Sequence, residues 1–138
     1  MKIIGPFDKS INLLGKSLDL RAKNQQVISS NIANAETPGY APARFNFEQD
    51  LQDVIERKNA LQLKTTSRHH LPIVPENLDQ INGTITKQPD QTGIGDQNGV
   101  NIDEEMIALA KNQLMYEASA KLLRKKFAML KYAVSEGK

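Results

Sequence analysis

The chain has 138 residues, which fits one domain at most, and it is 39% hydrophobic but only 5% aromatic. It therefore has little material for a compact core, and a stable independent monomer is not guaranteed. The lack of cysteine excludes disulfides and thiolate chemistry, and the net charge of +2, from 18 basic and 16 acidic residues, indicates neither nucleic acid nor an acidic substrate as a partner.

The first predicted element is a long amphipathic helix from about Asp8 to Ala35. Its apolar or small residues recur at steps of three and four, the period of an α-helix, at Ile11, Leu14, Leu18, Ala22, Ile28, Ile32 and Ala35. Asp8 or Ser10 is expected to cap the start, because either side chain can accept a hydrogen bond from the first free N–H groups. Such a helix is about 42 Å long.

The helix is predicted to stop at a proline–glycine pair. Pro38 disfavours helical geometry at the residue before it, and Gly39 accepts the positive φ of a type II turn. Tyr40 follows at once and can fix the turn to a neighbour. Asn31 and Asn34 lie in the last helical turns, where each is expected to bond backbone groups freed at the helix end. On these grounds alone the segment is an ordinary helix stop.

The middle of the chain is predicted to be rich in loops. A short helix is expected from Asn46 to Lys58, because one side of it would carry Phe47, Leu51, Val54 and Ile55. The pair Asn82-Gly83 is typical of a tight turn that leads into a strand at residues 84–86. Alternation at residues 61–65 indicates another short strand. Residues 79–100 have few apolar side chains, so disorder competes with both strands.

The last predicted element is a long helix with the clearest pattern in the chain. Asn101 or Asp103 is expected to cap its start, and Glu104 lies at the capping-box offset from Asn101. Along the helix, residues spaced three and four apart over four heptads form the a/d pattern of a coiled coil. We call this set the heptad seam: Met106, Leu109, Gln113, Tyr116, Ala120, Leu123, Phe127, Leu130 and Val134.

These elements predict a mostly α chain in which the two long terminal helices form an antiparallel coiled-coil pair. The middle, loop-rich and partly disordered, holds the short helix and a small hairpin. The chain is expected to divide into an N-terminal helix and turn (1–44), a variable middle (45–100) and a heptad helix (101–138), with the first and last forming one helical domain. Two helices bury only one side of each apolar stripe, so further helices from other copies or partners are expected.

The segment 30–40, with the sequence SNIANAETPGY, resembles the N-terminal signature shared by the rod and hook proteins of the bacterial flagellum. Its position, near the N-terminus and at the end of an amphipathic helix, is also that of the family. Residues 63–70 and 99–116 are similar to the proximal rod proteins within this family, although residues 67–70 vary its pattern around an Arg-His pair. The resemblance covers essentially the whole chain. The signature residues are Asn31, Ile32, Asn34, Thr37, Pro38, Gly39 and Tyr40.

The resemblance implies a structural subunit of the proximal rod of the flagellar basal body, with no enzymatic activity and no cofactor. Such subunits polymerise through their terminal helices and are needed for motility. The implied partners are other rod subunits, the adaptor between rod and membrane ring, and the flagellar type III export gate. Export without a cleaved signal is also implied, to a rod that crosses the periplasm or cell-wall space, and residues 1–6 show no secretory signal. Phe47 and Leu51 fit the family's Phe-x-x-x-hydrophobic export motif, with plain packing as the alternative.

Other candidate sites have weaker support. His69 and His70 are the only histidines, and no Cys or close acid accompanies them, so we expect no catalytic, metal or small-molecule site there. The basic residues between 121 and 126 are interpreted as a flank of the coiled coil and not as a nucleic-acid contact, because no aromatic residues interleave with them. Two alternatives to a proximal rod subunit stay open: a sister rod subunit of the same family, and a cytosolic helical-hairpin adaptor.

Overall fold

The computed structural model describes residues 6–57, 78–89, 95 and 97–135. Two long helices dominate these residues, which confirms the predicted mostly helical chain with a loop-rich middle. The strand predicted at residues 61–65 and both histidines lie outside the described residues. In chain order the elements are α1 (Pro6–Ala33), β1 (Ala43–Asn46), α2 (Glu48–Arg57), a 3-10 turn (Leu78–Gln80), β2 (Thr84–Lys87) and α3 (Ile102–Ser135).

The helices α1 and α3 pack against each other in opposite directions. Asn98, just before α3, donates a hydrogen bond to the backbone of Asn34 at the end of α1. Asn112, further along α3, donates to the backbone of Arg21, nearer the middle of α1. Residue numbers therefore rise along α3 as they fall along α1, and the predicted antiparallel pair is confirmed.

The start of α3 is set by Asn101. Its side-chain oxygen accepts hydrogen bonds from the backbone N–H groups of Asp103 at 3.1 Å and Glu104 at 3.4 Å, and its amide group donates to the Glu104 carboxylate at 3.2 Å. Asn101 is therefore the N-cap, as predicted. The alternative cap, Asp103, is wrong because it lies inside the first turn of the helix.

The start of α1 differs from the prediction. The helix begins at Pro6, so the caps predicted at Asp8 and Ser10 are wrong, because both residues lie inside it. Proline suits a first helical position, since its fixed φ is already helical and its missing N–H has no partner to lose there. The helix ends at Ala33, close to the predicted stop, and α2 likewise lies within its predicted range.

The two strands form an antiparallel sheet in which Phe45 of β1 lies opposite Ile85 of β2. The strand predicted after Asn82-Gly83 is present, and it pairs with a strand that precedes α2. Gly83 has a φ of 67°, a conformation that side chains rarely adopt, and a Cβ atom there would collide with the Phe45 ring. The entry to β2 therefore requires glycine for two separate reasons.

A small hydrophobic core joins α1 to the middle of the chain. Arg21 covers it, with its guanidinium 5.6 Å from the centre of the Phe47 ring and 3.6 Å from the Glu48 carboxylate. Among the described residues, none of this core belongs to α3. The helix α3 is therefore held by other contacts, described below. The buried core residues are Leu20, Phe47, Val54 and Ile81, with Phe45, Leu51 and Leu78 packed against them.

Candidate assembly site

The chain reverses just after α1 through a tight turn at residues 37–40, which we call the signature turn. Gly39 has a φ of 70°, and the Tyr40 N–H donates to the Thr37 carbonyl at 3.2 Å. A hydrogen bond from the fourth residue to the first, with a positive φ at the third, is the pattern of a type II turn. The turn predicted from Pro38 and Gly39 is therefore present.

Asn31 ties the end of α1 to the start of β1. Its side chain is 0% exposed, its amide group donates to the Ala43 carbonyl at 2.8 Å, and its oxygen accepts from the Ala43 N–H at 2.9 Å. The Tyr40 hydroxyl lies 3.4 Å from the same oxygen and 3.3 Å from the Ser30 hydroxyl. The predicted bond from Asn31 to the helix end is wrong, because the carboxamide instead pairs with both polar groups of one strand residue.

The carbonyl groups at the end of α1 are bonded by two other asparagines. Asn34 donates to the Ser30 carbonyl at 2.8 Å, as predicted. The amide group of Asn98 lies 2.8–2.9 Å from the carbonyl oxygens of Asn34, Ala35 and Thr37. The sequence patterns do not single out Asn98. No local signal marks it, because each of these contacts spans more than sixty residues of the chain.

The contact between α1 and α3 is polar at its centre. The Asn112 side chain is 3% exposed and donates to the Arg21 carbonyl and to the Gln25 side chain, both at 2.9 Å. Its oxygen accepts from the Asn24 amide group at 3.1 Å. A polar residue buried between helices favours one register over others, because a shifted pairing would leave its hydrogen-bonding groups without partners.

The heptad seam lies beside this polar contact and not at its centre. The buried residues of α3, Glu105 and Asn112, each come one position before a seam residue. One position turns a helix by about 100°, so the seam faces partly away from α1. Within it, Leu109, Ala120, Leu123 and Leu130 are half-buried, whereas Met106, Gln113, Tyr116, Phe127 and Val134 are exposed.

Large hydrophobic side chains are exposed at intervals from Ile102 to Val134 of α3, on more than one side of the helix. Ile107 is 70% exposed and Leu114 is 68% exposed. On α1, by contrast, the predicted assembly residues Ile11, Leu14 and Leu18 are half-buried and Ile28 is buried. Exposed apolar side chains in such number mark an interaction surface. We call this surface the exposed α3 face: Ile102, Met106, Ile107, Leu114, Met115, Tyr116, Leu122, Phe127, Met129, Tyr132 and Val134.

An open cleft of about 590 Å³ lies between α1, β1 and α3. Two of the cations that line it are ion-paired, Arg21 with Glu48 and Arg44 with Glu105. Within the described ranges, no three His, Cys, Asp or Glu side chains are grouped closely enough to hold a metal ion. In the same part of the chain, no helix is both long and apolar enough to cross a bilayer. One of these ion pairs joins α1 to α2, and the other joins β1 to α3.

Comparison with known proteins finds similarity in the segment of α1 and the signature turn and also over most of the chain. Residues 14–40, which comprise most of α1 and the signature turn, match the family described as flagella basal body rod protein. The chain is 33% identical over 124 residues to flagellar basal body rod protein FlgB of Aeromonas hydrophila, covering 90% of this chain and 91% of that protein. It is 32% identical to FlgB of Salmonella typhimurium, covering 85% and 86%, and 31% identical to FlgB of Escherichia coli, covering 88% and 89%.

Proposed function

The chain belongs to the FlgB family of flagellar basal body rod proteins, and we propose that it enters the rod by burying the exposed α3 face against helices of neighbouring subunits. It is a structural subunit of the proximal rod, which implies a part in motility. The observation that carries the proposal is the exposure of large apolar side chains along α3, with Ile107 and Leu114 among the most exposed.

The energetics of burial favour such an assembly. A side chain such as Leu, Ile, Phe or Met contributes roughly 1.5–3 kcal/mol when it passes from water to a fully buried site. The exposed α3 face offers many such side chains, whereas the contact with α1 already uses the polar residues Glu105 and Asn112. Polar contacts thus set the pairing within the chain, and apolar contacts supply the driving force between chains.

The same division of contacts supports the domain organisation predicted from the sequence. Residues 1–44 and 101–138 form the helical domain that assembles, and residues 45–100 form a variable middle. The hydrogen bonds of Asn112 with Asn24, Arg21 and Gln25 support this grouping, because they join the two terminal parts directly. The small core around Phe47 attaches the middle to α1.

The proposed partners are those expected for a subunit at the base of the rod. Other rod subunits take the exposed α3 face, and the base of the rod meets the membrane-ring adaptor and the type III export gate. The subunit acts without catalysis and without a cofactor. It leaves the cytoplasm through the flagellar export apparatus without cleavage of a signal, and it resides in the rod where this crosses the periplasm or cell-wall space.

Phe47 and Leu51 act in export only while the chain is unfolded. Phe47 is 2% exposed and Leu51 is packed against the same core. A receptor cannot reach these side chains in the folded subunit, whereas an unfolded chain presents both. Recognition of the pair would therefore select unfolded chains for export.

The proposal is tested by Ile107→Asp combined with Leu114→Asp. Both side chains are more than two-thirds exposed, so the isolated chain should keep its helical circular dichroism. In a strain that lacks its own subunit, the variant should be missing from purified basal bodies and should not restore swimming. Gln26→Asp, an exposed position on α1, is the matched control and should behave as wild type. Recovery of the double variant in basal bodies at wild-type level would exclude the exposed α3 face as the assembly surface.

A further inference from the structure

Three backbone carbonyl groups converge on one side chain at the end of α1. The Asn98 amide nitrogen lies 2.9 Å from the Asn34 oxygen and 2.8 Å from the oxygens of Ala35 and Thr37. These carbonyls belong to the residues that follow α1, and those of Asn34 and Thr37 also accept from the backbone N–H groups of Thr37 and Tyr40. The two N–H groups of one side-chain amide are therefore shared among three acceptors that lie around the signature turn.

The other half of the Asn98 side chain is also held. Its oxygen accepts from the Val100 N–H at 2.8 Å, and the neighbouring Gly99 N–H donates to the Tyr40 carbonyl at 3.2 Å. Asn101, the N-cap of α3, follows one residue after Val100. The segment 98–101 is therefore docked on the signature turn at one end and continues into α3 at the other.

We propose that Asn98 is the positioning residue that fixes the direction of α3 relative to α1. It binds the turn that follows α1 from the segment that starts α3, so the two helices share one rigid joint. The carboxamide carries both the two N–H groups that the three carbonyls share and the oxygen that accepts from Val100. Through this joint, Asn98 sets the direction in which the exposed α3 face is presented.

The donor role is separated from simple space filling by two variants. Asn98→Asp keeps the shape of the side chain but puts a carboxylate against three carbonyl oxygens, whereas Asn98→Ala removes the side chain. Hydrogen exchange on the full isolated chain should show faster exchange of the Thr37 and Tyr40 amides, on the order of tenfold for the alanine variant and a hundredfold for the aspartate variant. Space filling alone predicts the opposite order, with the aspartate variant close to wild type.

The matched control is Asn101→Ala, which removes the cap of α3 three residues away. It should loosen the first turn of α3 and leave the exchange of Thr37 and Tyr40 unchanged, because Asn101 bonds only to its own helix in the described contacts. Equal effects of the two alanine variants on the signature turn would overturn the proposal.

The pH dependence of hydrogen exchange is a second test of the donor role of Asn98. In the Asn98→Asp variant, the facing carbonyl oxygens should raise the pKa of the new carboxyl group above its ordinary range. Protonation restores one donor, so the protection of the Thr37 and Tyr40 amides, which is the intrinsic exchange rate divided by the observed rate at the same pH, should rise as the pH falls through that raised pKa. The alanine variant should show no such recovery. Failure of the aspartate variant to recover would refute donation as the role of this side chain.

Spin labels measure the direction of the helices themselves. The chain has no cysteine, so Ala33→Cys and Ile107→Cys give a clean label pair across the joint. The distance distribution between the two labels should be narrow in the wild-type background and broad with Asn98→Asp. This measurement uses the isolated chain and does not depend on the proposed function.

A last experiment rests on the proposed function. Asn98→Asp, without the cysteine substitutions, should reduce the incorporation of the subunit into basal bodies. If the wild type itself is absent from basal bodies, the proposed function fails; if the variant is incorporated as well as the wild type, the positioning role fails.

Discussion

Glu105 and Arg44 form an ion pair that joins the first turns of α3 to β1, with 3.2 Å between Arg44 Nη1 and Glu105 Oε1. The Glu105 side chain is 1% exposed, and the same guanidinium lies 3.5 Å from the exposed carboxylate of Glu104. Neither Glu105 oxygen has a hydrogen bond of good geometry among the described residues. Arg44 is therefore the main compensation for a buried charge.

Replacement of Arg44 should show how much the buried Glu105 carboxylate lowers the stability of the fold when it has no partner. Arg44→Ala should lower the free energy of unfolding by about 3 kcal/mol, because the Glu105 carboxylate stays buried without a partner. Arg44→Met combined with Glu105→Met should recover most of the loss, since no buried charge remains. Urea denaturation monitored by circular dichroism measures both changes. A double variant as unstable as the single one would show that the ion pair is not the cause.

An exposed ion pair provides the control for this experiment. Lys121 lies 3.9 Å from Glu117 on the surface of α3. Lys121→Ala should change the free energy of unfolding by less than about 1 kcal/mol, because exposed pairs contribute little. A loss as large as that of Arg44→Ala would mean that the burial of Glu105 does not matter.

The stability of the chain should fall when Asn112 loses its side-chain N–H donors. Asn112→Asp should destabilise the chain by about 2–3 kcal/mol, because a carboxylate would face the Arg21 carbonyl and the Gln25 side-chain oxygen. Asn112→Ala should cost less, and Gln113→Ala, at an exposed neighbouring position, should change the stability by less than about 0.5 kcal/mol. Thermal unfolding of the three variants measures this order. Equal losses for all three would contradict a specific polar contact.

Three glycines should respond differently to alanine. Gly15→Ala should stabilise the chain by about 0.5–1 kcal/mol, because the position is helical and nothing lies near the added methyl group. Gly39→Ala should cost about 1 kcal/mol from its positive φ alone. Gly83→Ala should cost about 2–4 kcal/mol, because the collision with Phe45 adds to the same strain. Chemical denaturation would contradict this account if Gly83→Ala proved the mildest.

The isolated chain should be protected unevenly against hydrogen exchange. Residues 121–135 of α3 have mostly exposed side chains, so their amides should exchange faster than those of α1 around Leu20, which the core buries. This tests the expectation, drawn from the low hydrophobic and aromatic content, that the isolated monomer is not stably folded throughout. Strong and uniform protection of both terminal helices in a monomer would contradict it.

The sequence predicts the elements of this fold better than the contacts between them. The spacing of apolar residues locates both long helices, and the Pro38-Gly39 pair locates the turn, because these signals are local. The partners of Asn31 and Asn98 are not predicted, because each depends on how distant segments meet. A carboxamide shows the same local pattern whether it bonds its own helix or a strand.

The heptad seam shows a second limit of sequence patterns. The spacing of Met106, Leu109 and the later seam residues indicates that an apolar stripe will be covered, but not which helix covers it. In the structure α1 lies nearest to the polar positions of Glu105 and Asn112, one step around the helix. Only the arrangement of the two helices in space shows that much of the stripe is left for a partner.

Coverage of the exposed α3 face in the rod is the most direct test of assembly through this face. Ile107→Cys introduces the sole thiol of the chain at a side chain that is 70% exposed. A maleimide reagent should label it readily in the isolated subunit and on the order of tenfold more slowly, or not at all, in purified basal bodies, because a packed interface excludes water and reagent. Equal labelling rates in the two samples would contradict assembly through this face.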